Sequence, residues 1–402
     1  MHTSSHALAF LSLALLHAPR SVCALRVAFV GDTGIGNDAP GSVWTDYRGN
    51  VRRPSYKVDG VECQTFDGKY CGAYSRARDV FRLAADAGAD LIVHAGDLDY
   101  ASSPTSFFRF LTEHVWRRGI SYIASKGNHD VDGWDGVSDL WSGPRGYQSL
   151  LRRQLPTLRG ATYSGSYGED FIMETPDVVI VLSSVGAERP GESANRDHYA
   201  FLERALSSSK RKWKICVWHM TQERLQVSYK GDAVGFGAYE ICRKYGAFIV
   251  TGHAHVYSRS FTMNRFGSKV YDFTREDLQV YDRDGSRVLL RPSSSREASS
   301  NDGLTAVAVV GIGGYKNEAQ LTDSGIWAKV YSTSCLASSS TCARAPDASK
   351  FGALICDFDD ASDRASCALR VVPYQGADDA AFRYRARAPD AVIDAFDLAR
   401  VA

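Results

Sequence analysis

The sequence predicts an α/β fold in which buried strands alternate with amphipathic helices. Short apolar runs rich in β-branched residues, such as Val27–Val30, are typical of buried strands in a parallel sheet. Between such runs, apolar residues recur at helical spacing, for example over residues 74–87, where Gly88 marks the helix end. Polar side chains follow several predicted strands directly, in the position where open α/β sheets bind their ligands.

Residues 90–100 show this pattern most clearly. Leu91–Val93 is an apolar run that predicts a buried strand. The run stops before Gly96, and two carboxylates and a phenol follow, which are Asp97, Asp99 and Tyr100. A strand that leads straight into such groups indicates a ligand site at its carboxyl end.

The other elements continue the alternating series. The remaining helices are predicted at 105–117, 147–155, 196–206 and 236–245. The remaining strands of the series are predicted at 120–124, 178–182, 215–218 and 247–251. Beyond residue 257, a second and more antiparallel layer is predicted from short strands at 270–273, 278–281, 288–290, 306–310 and 354–357.

Three stretches do not belong to this series. Residues 38–72 have no clear period and are too long for an ordinary loop, so we predict a lid or insertion at the site. Residues 131–147 are rich in glycine and are predicted to form a loop beside a ligand motif. Residues 376–402 are predicted as a C-terminal tail that ends in an amphipathic helix around 390–400.

The size and charge of the chain limit the class of protein. A chain of 402 residues with 44% hydrophobic and 23% charged residues can form one large or two ordinary globular domains. The formal net charge of +1 gives no sign of nucleic acid or an acidic membrane surface as a partner. The oligomeric state is not readable from the sequence.

The N-terminus has the features of a secretory signal peptide. The apolar run 7–16 is too short to span a bilayer, and small residues that a signal peptidase accepts follow at 22–24. We therefore predict a signal peptide over residues 1–24 and no stable membrane insertion. The predicted route is the secretory pathway, ending outside the cell or in a lysosome- or vacuole-like compartment. The alternative is an unprocessed membrane anchor.

The cysteines fit an oxidising compartment. The chain has 9 cysteines, and an even number remains after Cys23, which lies in the predicted signal peptide. Close spacing predicts the disulfides Cys63–Cys71, Cys335–Cys342 and Cys356–Cys367. The remaining two, Cys216 and Cys242, form either a fourth disulfide or two free buried thiols.

Candidate metal ligands follow five of the predicted strands. They are Asp32; Asp97 and Tyr100; Asn128, with His129 and Asp130 next to it; His219; and His253 with His255. A single Gly-Asp pair is usually a turn and a single buried histidine is usually a core residue. The joint pattern is harder to obtain from packing alone, and it predicts one metal site at one edge of one sheet. Since His253 and His255 are two apart on an extended segment, they point the same way and can serve adjacent metals.

These residues resemble the motifs of the calcineurin-like metallophosphoesterases and, within them, of the purple acid phosphatases. The matching pieces are Gly31-Asp32, Gly96–Tyr100, Gly127–Asp130, His219 and Gly252–Arg259. Two features favour the purple acid phosphatases. Gly34 stands where broader members of the family often carry a histidine, and Tyr100 matches a tyrosinate that binds ferric iron.

The resemblance implies a metallophosphoesterase-type fold over residues 25–375. This fold is a four-layer α/β/β/α sandwich with a dinuclear site at the C-terminal ends of the strands. The implied ligands of the first metal are Asp32, Asp97, Tyr100 and His255. Those of the second are Asp97, Asn128, His219 and His253, with Asp97 as the bridge. Carboxylate, phenolate and imidazole suit iron(III), whereas an amide and two imidazoles suit a divalent ion, which would be zinc, iron or manganese.

His129 is the candidate catalytic residue. It follows Asn128, and it is placed to contact phosphate or to protonate the leaving alkoxide, with Asp130 orienting it. The alternative is that His129 only braces Asn128. Many family members have a further substrate-contacting histidine between the last two motifs, and none lies between His219 and His253.

The expected function is therefore that of a secreted acid phosphatase. The resemblance implies hydrolysis of phosphate monoesters by a metal-bound hydroxide at a dinuclear Fe(III)–M(II) centre. Two alternatives stay open. One is a phosphodiesterase that uses the same site, because the loops and not the ligands set access to the metals. The other is a non-catalytic protein that binds metal or phosphate.

Overall fold

The structure is a computed structural model that describes most of the chain. The described residues are 24–34, 44–45, 51–52, 56–58, 61–63, 73–100, 104–134, 146–267, 277–293, 302–345, 351–372 and 391–401.

Six α-helices lie within these residues. They are α1 (Ala73–Asp86), α2 (Pro104–His114), α3 (Val131–Trp134), α4 (Tyr147–Arg152), α5 (Arg196–Ser208) and α6 (Gly237–Lys244). Short 3-10 turns add Trp116–Arg118 and Glu192–Asn195. No helix in the described part of the chain has the length and hydropathy needed to cross a bilayer.

The same residues contain the strands of the fold. In the first half they are β1 (Leu25–Val30), β2 (Trp44–Thr45), β3 (Val51–Arg52), β4 (Tyr56–Val58), β5 (Val61–Cys63), β6 (Leu91–His94), β7 (Ser121–Ala124), β8 (Thr162–Ser166), β9 (Asp170–Glu174), β10 (Val178–Ser183) and β11 (Trp213–Trp218). In the second half they are β12 (Phe248–Thr251), β13 (Tyr257–Ser260), β14 (Thr262–Arg265), β15 (Gln279–Asp282), β16 (Arg287–Leu290), β17 (Val307–Val310), β18 (Trp327–Ser332), β19 (Cys342–Arg344), β20 (Gly352–Phe358), β21 (Arg364–Val371) and β22 (Ala391–Arg400).

Two large sheets form the centre of the fold. One has 7 strands in the order β16-β22-β21-β20-β1-β6-β7, and the other has 9 in the order β19-β18-β13-β17-β12-β11-β10-β9-β8. In the first sheet, β1, β6 and β7 are parallel. In the second, β10, β11, β12 and β17 are parallel. Since ligands bind beyond the carboxyl ends of parallel strands, each sheet offers one rim for a site.

Strand β10 shows how the layers are arranged. Val178, Ile180 and Leu182 belong to the core that the two sheets share. Val179 and Val181 face the opposite way, into a second core that includes residues of α5 and α6. Helix α1 packs against the first sheet at β20 and β21. The fold is therefore the predicted four-layer α/β/β/α sandwich, and full burial of each such side chain stabilises it by ~1.5–3 kcal/mol.

The end of α1 confirms a detail of the sequence prediction. Gly88 adopts a left-handed conformation with a φ of 74°. Its amide donates to the carbonyl oxygen of Ala85 at 2.9 Å, and the amide of Ala89 donates to that of Ala84 at 3.0 Å. Glycine adopts this conformation without steric strain, so Gly88 ends the helix and turns the chain into β6.

The candidate ligand strands do not lie in one sheet, and that prediction is wrong. β1, β6 and β7 belong to the first sheet, whereas β11 and β12 belong to the second. All five runs are apolar on both faces, because each is buried on both faces in its own sheet. The sequence pattern therefore identifies buried strands without indicating which of them pair.

The predicted C-terminal helix is also wrong. Residues 391–400 form β22, which is antiparallel to β21 and parallel to β16. Asp394, Phe396 and Leu398 are buried at alternate positions, the period of a strand. The segment contains apolar residues at both helical and strand spacing, and pairing with two distant strands decides between them.

Several smaller features also differ from the prediction or lie beyond what the structure describes. Within 38–72, predicted without regular structure, the described residues form the hairpins β2–β3 and β4–β5. The hairpin β8–β9 was not predicted. Three predicted features lie outside the described residues: residues 1–23 of the signal peptide, the strand at 270–273, and Cys71 with the disulfide that it would form.

Three disulfides join described residues. Cys335–Cys342 and Cys356–Cys367 confirm their predicted pairings. Cys216–Cys242 is also bonded, which decides between the two alternatives for this pair. It links β11 to α6, so one of the strands that lead into the candidate site is cross-linked to the helix behind it.

A buried ion pair connects the two sheets. On β13, Arg259 donates to both carboxylate oxygens of Asp394 on β22, at 2.7 and 3.0 Å. The hydroxyl of Tyr257 donates to the same carboxylate at 2.7 Å. The Arg259 and Asp394 side chains are 1% and 6% exposed, so each charge depends on the other for compensation. The guanidinium also lies 4.2 Å from the centre of the Phe396 ring.

Replacing Asp394 by alanine is expected to lower the free energy of unfolding by ~3–5 kcal/mol, because it leaves the Arg259 guanidinium buried without its partner. Urea denaturation measures the change. Asp397→Ala is the matched control, since Asp397 lies on the same strand and pairs with Arg364 at 3.8 Å near the surface. We expect a change of at most ~1 kcal/mol for this control. Equal losses in both variants would show that the buried pair has no special role.

Candidate metal centre

The candidate ligands at three strand ends have an unusual backbone conformation. Asp32, Asp97 and His253 have φ values of 59°, 54° and 67°, and they are the only non-glycine residues with positive φ in the described part of the chain. Side chains destabilise this conformation by ~1–3 kcal/mol, and residues held in it cluster at functional sites. The same strained backbone conformation at three strand ends therefore indicates that these three residues belong to a functional site.

Glycines let these strand ends approach one another closely. A Cβ atom on Gly127 would lie 2.2 Å from the backbone nitrogen of Asp97. A Cβ atom on Gly252 would lie 2.7 Å from the carbonyl oxygen of Ala95 and 2.9 Å from Nδ1 of His219. No larger residue fits at either position, because the nearest atoms are backbone or buried side chain. Gly127 therefore lets the loops after β6 and β7 meet within the first sheet, and Gly252 lets the second sheet approach the first at Ala95.

The first cluster of donor atoms contains Asp97, His219 and His253. One ligand atom from each lies within 4.8 Å of the others. Nδ1 of His219 lies 2.8 Å from the carbonyl oxygen of Ala95, which can only accept, so the proton is on Nδ1. Nε2 is then the nitrogen left for a metal to bind, and it faces Oδ2 of Asp97 at 3.2 Å. This is the tautomer that a metal ligand needs.

The second cluster contains Asp32, Tyr100 and His255. The hydroxyl of Tyr100 lies 3.1 Å from Oδ1 of Asp32 and 3.0 Å from Nε2 of His255. The distance between Nε2 of His255 and Oδ1 of Asp32 is 3.1 Å. The clusters adjoin, because the amide of His253 donates to Oδ2 of Asp32 at 2.9 Å. The structure thus brings together side chains from both sheets that the sequence places at separate strand ends.

Unpartnered polar atoms show that this arrangement fits a cation. Oδ1 of Asn128 and Nε2 of His219 are buried and have no hydrogen-bond partner among the described residues. A buried acceptor without a partner destabilises a fold by ~1–3 kcal/mol, so such atoms normally signal an ion or water. Asn128 directly follows Gly127, which contacts Asp97. The set of carboxylate, phenol, amide and imidazole donors is one that binds metal ions.

The electrostatics of the site also favour a positive charge. Burial lowers the pKa of His219, but the charges of Asp97 and Asp32 outweigh it and raise the pKa to about 9. Burial, together with the charges of His219 and Lys230, lowers the pKa of His253 to about 3. The two carboxylates therefore attract a cation, while His253 stays neutral and keeps a lone pair for one.

The state of the Tyr100 phenol depends on what binds beside it. Burial and the negative charges of Asp97 and Asp32 raise the pKa of Tyr100 well above 10. The protein alone therefore keeps this hydroxyl protonated. A strongly charged cation next to the oxygen is needed to ionise it.

His129 and Asp130 have different roles from each other. The amide of His129 donates to Oδ1 of Asp97 at 3.0 Å, and its ring lies 4.3 Å from that of Tyr100. The residue is exposed, so its imidazole is accessible to a substrate. The expectation that Asp130 orients this ring is wrong. Its carboxylate accepts hydrogen bonds from the amides of Asp97, Leu98 and Gly127, at 2.8 to 2.9 Å, and thereby holds the two ligand loops together.

Two residues beside the site were not identified from the sequence. The ring of Tyr315 stacks on that of Tyr100, with centres 3.5 Å apart and planes 7° apart. It also covers Gly34, where a Cβ atom would lie 2.4 Å from it. The carboxylate of Glu318 lies beside His255. Both belong to the loop between β17 and β18, which carries no recognisable motif. The only sequence signal for Tyr315 was Gly34, because a side chain at position 34 would collide with its ring.

Comparison with known proteins decides the family. The sequence model of the calcineurin-like phosphoesterases matches residues 25–257, more than half of the chain. The chain belongs to the calcineurin-like phosphoesterase family. No curated protein sequence matches it significantly. The match ends shortly after His255, so all candidate ligands lie within it, whereas Tyr315 and Glu318 do not.

Solved structures that are similar to this chain include the following three. A purple acid phosphatase, PPD1, from yellow lupin (Lupinus luteus) seeds is 15% identical with a TM-score of 0.51, over 94% of this chain and 54% of that chain. This chain thus spans about half the length of the lupin protein. PhoD is 11% identical, with a TM-score of 0.43 and coverage of 95% and 71%. A dimetal phosphatase from Danio rerio is 10% identical, with a TM-score of 0.42 and coverage of 92% and 99%.

Proposed function

We propose that this calcineurin-like phosphoesterase is a secreted, purple acid phosphatase-like enzyme that hydrolyses phosphate monoesters at an Fe(III)–M(II) centre. The observation that carries the proposal is the meeting of two donor clusters, one of which contains the Tyr100 hydroxyl within 3.1 Å of Asp32 and His255. The proposed ligands of the iron are Asp32, Asp97, Tyr100 and His255. Those of the divalent ion, which is zinc, iron or manganese, are Asp97, Asn128, His219 and His253.

The chain's own residues prepare the site for an anionic substrate. When bound, the ions supply a nucleophilic hydroxide and neutralise the charge of the phosphate oxygens. Asp130 accepts hydrogen bonds from the amides of Asp97 and Gly127 and thereby fixes the loop that carries Asp97. Ala95 keeps the proton of His219 on Nδ1, so that Nε2 stays available as a ligand atom. The imidazole of His129 is open to solvent while its amide is tied to Asp97, which suits a group that protonates a leaving alkoxide.

Secretion is part of the proposal. Its support is the predicted signal peptide at 1–24 together with the three disulfides, which persist in oxidising compartments. The proposed destination is the extracellular space or a lysosome- or vacuole-like compartment.

Phosphate release from aryl esters tests the proposed activity. The purified protein, loaded with iron and zinc, is assayed at acid pH with para-nitrophenyl phosphate and with bis-para-nitrophenyl phosphate. We expect faster turnover of the monoester. Faster turnover of the diester would make the protein a phosphodiesterase, and turnover of neither would make it a non-catalytic binding protein.

Tyr100→Phe is expected to remove the visible colour of the iron-loaded protein. A phenolate bound to iron(III) absorbs visible light by charge transfer, so the wild-type protein should be pink or purple. The variant should keep part of its activity, because Tyr100 supplies one bond to one ion. Absorption spectra and metal analysis, which should find two ions per chain with at least one iron, check this result.

Tyr315→Phe is the matched control for the colour. It keeps the ring that stacks on Tyr100 and should leave the absorption band in place. A colourless, active wild-type protein with two zinc or manganese ions would refute the ferric centre. The assignment to the phosphoesterase family would be unaffected.

A further inference from the structure

Glu318 is fixed next to His255 by its backbone. Its amide donates to the carbonyl oxygen of His255 at 2.7 Å, and its own carbonyl oxygen accepts from the amide of Thr333 at 3.0 Å. The residue is 9% exposed and lies on the loop between β17 and β18, beyond the part of the chain that the family model matches. These contacts bring a buried carboxylate to a candidate metal ligand that is 63 positions away in the sequence.

The side chain of Glu318 faces the imidazole of His255. Oε1 lies 3.4 Å from Nδ1. Both atoms are buried, and neither has a hydrogen-bond partner among the described residues. Oε2 accepts a hydrogen bond from the hydroxyl of Ser228 and lies 3.3 Å from the amide of His255. A small rotation of either side chain would bring Nδ1–H and Oε1 into hydrogen-bond distance.

The opposite edge of the same ring faces the other candidate ligands. Nε2 lies 3.0 Å from the Tyr100 hydroxyl and 3.1 Å from Oδ1 of Asp32. An imidazole that binds a metal through Nε2 must carry its proton on Nδ1. An acceptor at Nδ1 selects that tautomer, and an anionic acceptor also makes Nε2 more basic. Glu318 stands in the position of such an acceptor.

Two lysines compensate the buried charge of Glu318. The ammonium groups of Lys230 and Lys316 lie 3.8 and 3.4 Å from Oε1. Cationic neighbours offset the cost of burying a carboxylate's charge. The equivalent contact at His219 is made by the neutral carbonyl of Ala95. The two histidines are therefore supported by acceptors of different charge.

We propose that Glu318 is a positioning residue that orients His255 and strengthens its bond to the metal shared with Asp32 and Tyr100. Its negative charge lies behind His255, in the cluster that contains the phenol, and favours the ion of higher charge there. The inference rests on the proposed metal centre. It assigns a role to a residue outside the family motifs.

Zinc binding to the metal-free protein tests this role without substrate. Isothermal titration calorimetry of the wild type with Zn²⁺ should resolve two steps. In Glu318→Ala, one step should weaken by ~10–100-fold and the other by no more than ~3-fold. Glu318→Gln should weaken the same step less, by ~3–10-fold, because its amide oxygen is a neutral and hence weaker acceptor. The melting temperature of the metal-free protein should be the same in all three.

Ser228→Ala is the matched control, since it removes a hydrogen bond to Oε2 and leaves Oε1 facing His255. It should leave both zinc affinities within ~3-fold of the wild type. Unchanged zinc affinities in Glu318→Ala would overturn the inference, as would equal weakening of both steps with a lower melting temperature. If Glu318→Ala does not fold, an unchanged affinity in Glu318→Gln overturns it. Failure of the proposed function is seen separately, as no phosphate release from the loaded wild type.

Discussion

Replacing Asp97 by asparagine is expected to lower kcat/KM for a phosphate monoester by at least ~10³-fold. Asp97 is the proposed bridge, with Oδ2 facing His219 at 3.2 Å and Oδ1 accepting from the amide of His129. Metal ions contribute several kcal/mol to such reactions, and ~1.4 kcal/mol corresponds to a factor of ten. Asparagine suits the test, because it tolerates the φ of 54° at this position, where alanine would add strain.

Metal analysis of the same variant separates chemistry from folding. Asp97→Asn should bind fewer than two ions per chain while keeping the secondary structure of the wild type, as measured by circular dichroism. Asp99→Asn is the matched control, since this buried carboxylate lies two residues further on and accepts a hydrogen bond from Tyr147 at 2.9 Å. The control should keep both ions. Full metal content and activity in Asp97→Asn would exclude the proposed bridge.

His129→Ala is expected to lower kcat by ~10²–10⁴-fold on esters with poor leaving groups, which is the usual contribution of a general acid. The effect should be much smaller on aryl esters, whose leaving groups depart without protonation. Metal content should stay at the wild-type level, because His129 is not a proposed ligand. His198→Ala is the matched control, since His198 lies on α5 and pairs with Asp170 on β9 at 2.8 Å.

The pH profile gives His129 a second signature. Partial desolvation of the ring beside the candidate ligands lowers the pKa of His129 below its ordinary value of ~6.5. The protonated form that acts as the acid is therefore present at low pH and is lost as pH rises through that lowered pKa. On an alkyl phosphate, kcat of the wild type should fall over this range, and His129→Ala should lack the fall. Loss of metal from the variant would instead show that His129 braces Asn128.

Most donor groups of the site could be found from the sequence because each lies next to its own strand end. Asp32 follows Val30 by two residues, and His219 directly follows β11. This adjacency is local, so the apolar run that predicts the strand also locates the ligand. The role expected for Asp130 was wrong, since its hydrogen bonds go to the amides of Asp97, Leu98 and Gly127. Those partners come from the folding of two loops onto each other.

The identity, order and local setting of the proposed ligands were determined by the sequence, together with the alternation of strands and helices and two of the disulfides. Only the tertiary structure decided that the candidate ligand strands divide between two sheets, that residues 391–400 form a strand, and that Tyr315 and Glu318 lie against Tyr100 and His255. The physical reason is the range of the interactions. Periodicity and strand-end motifs act over a few neighbouring residues, whereas sheet pairing and the contacts behind a ligand join residues far apart in the chain.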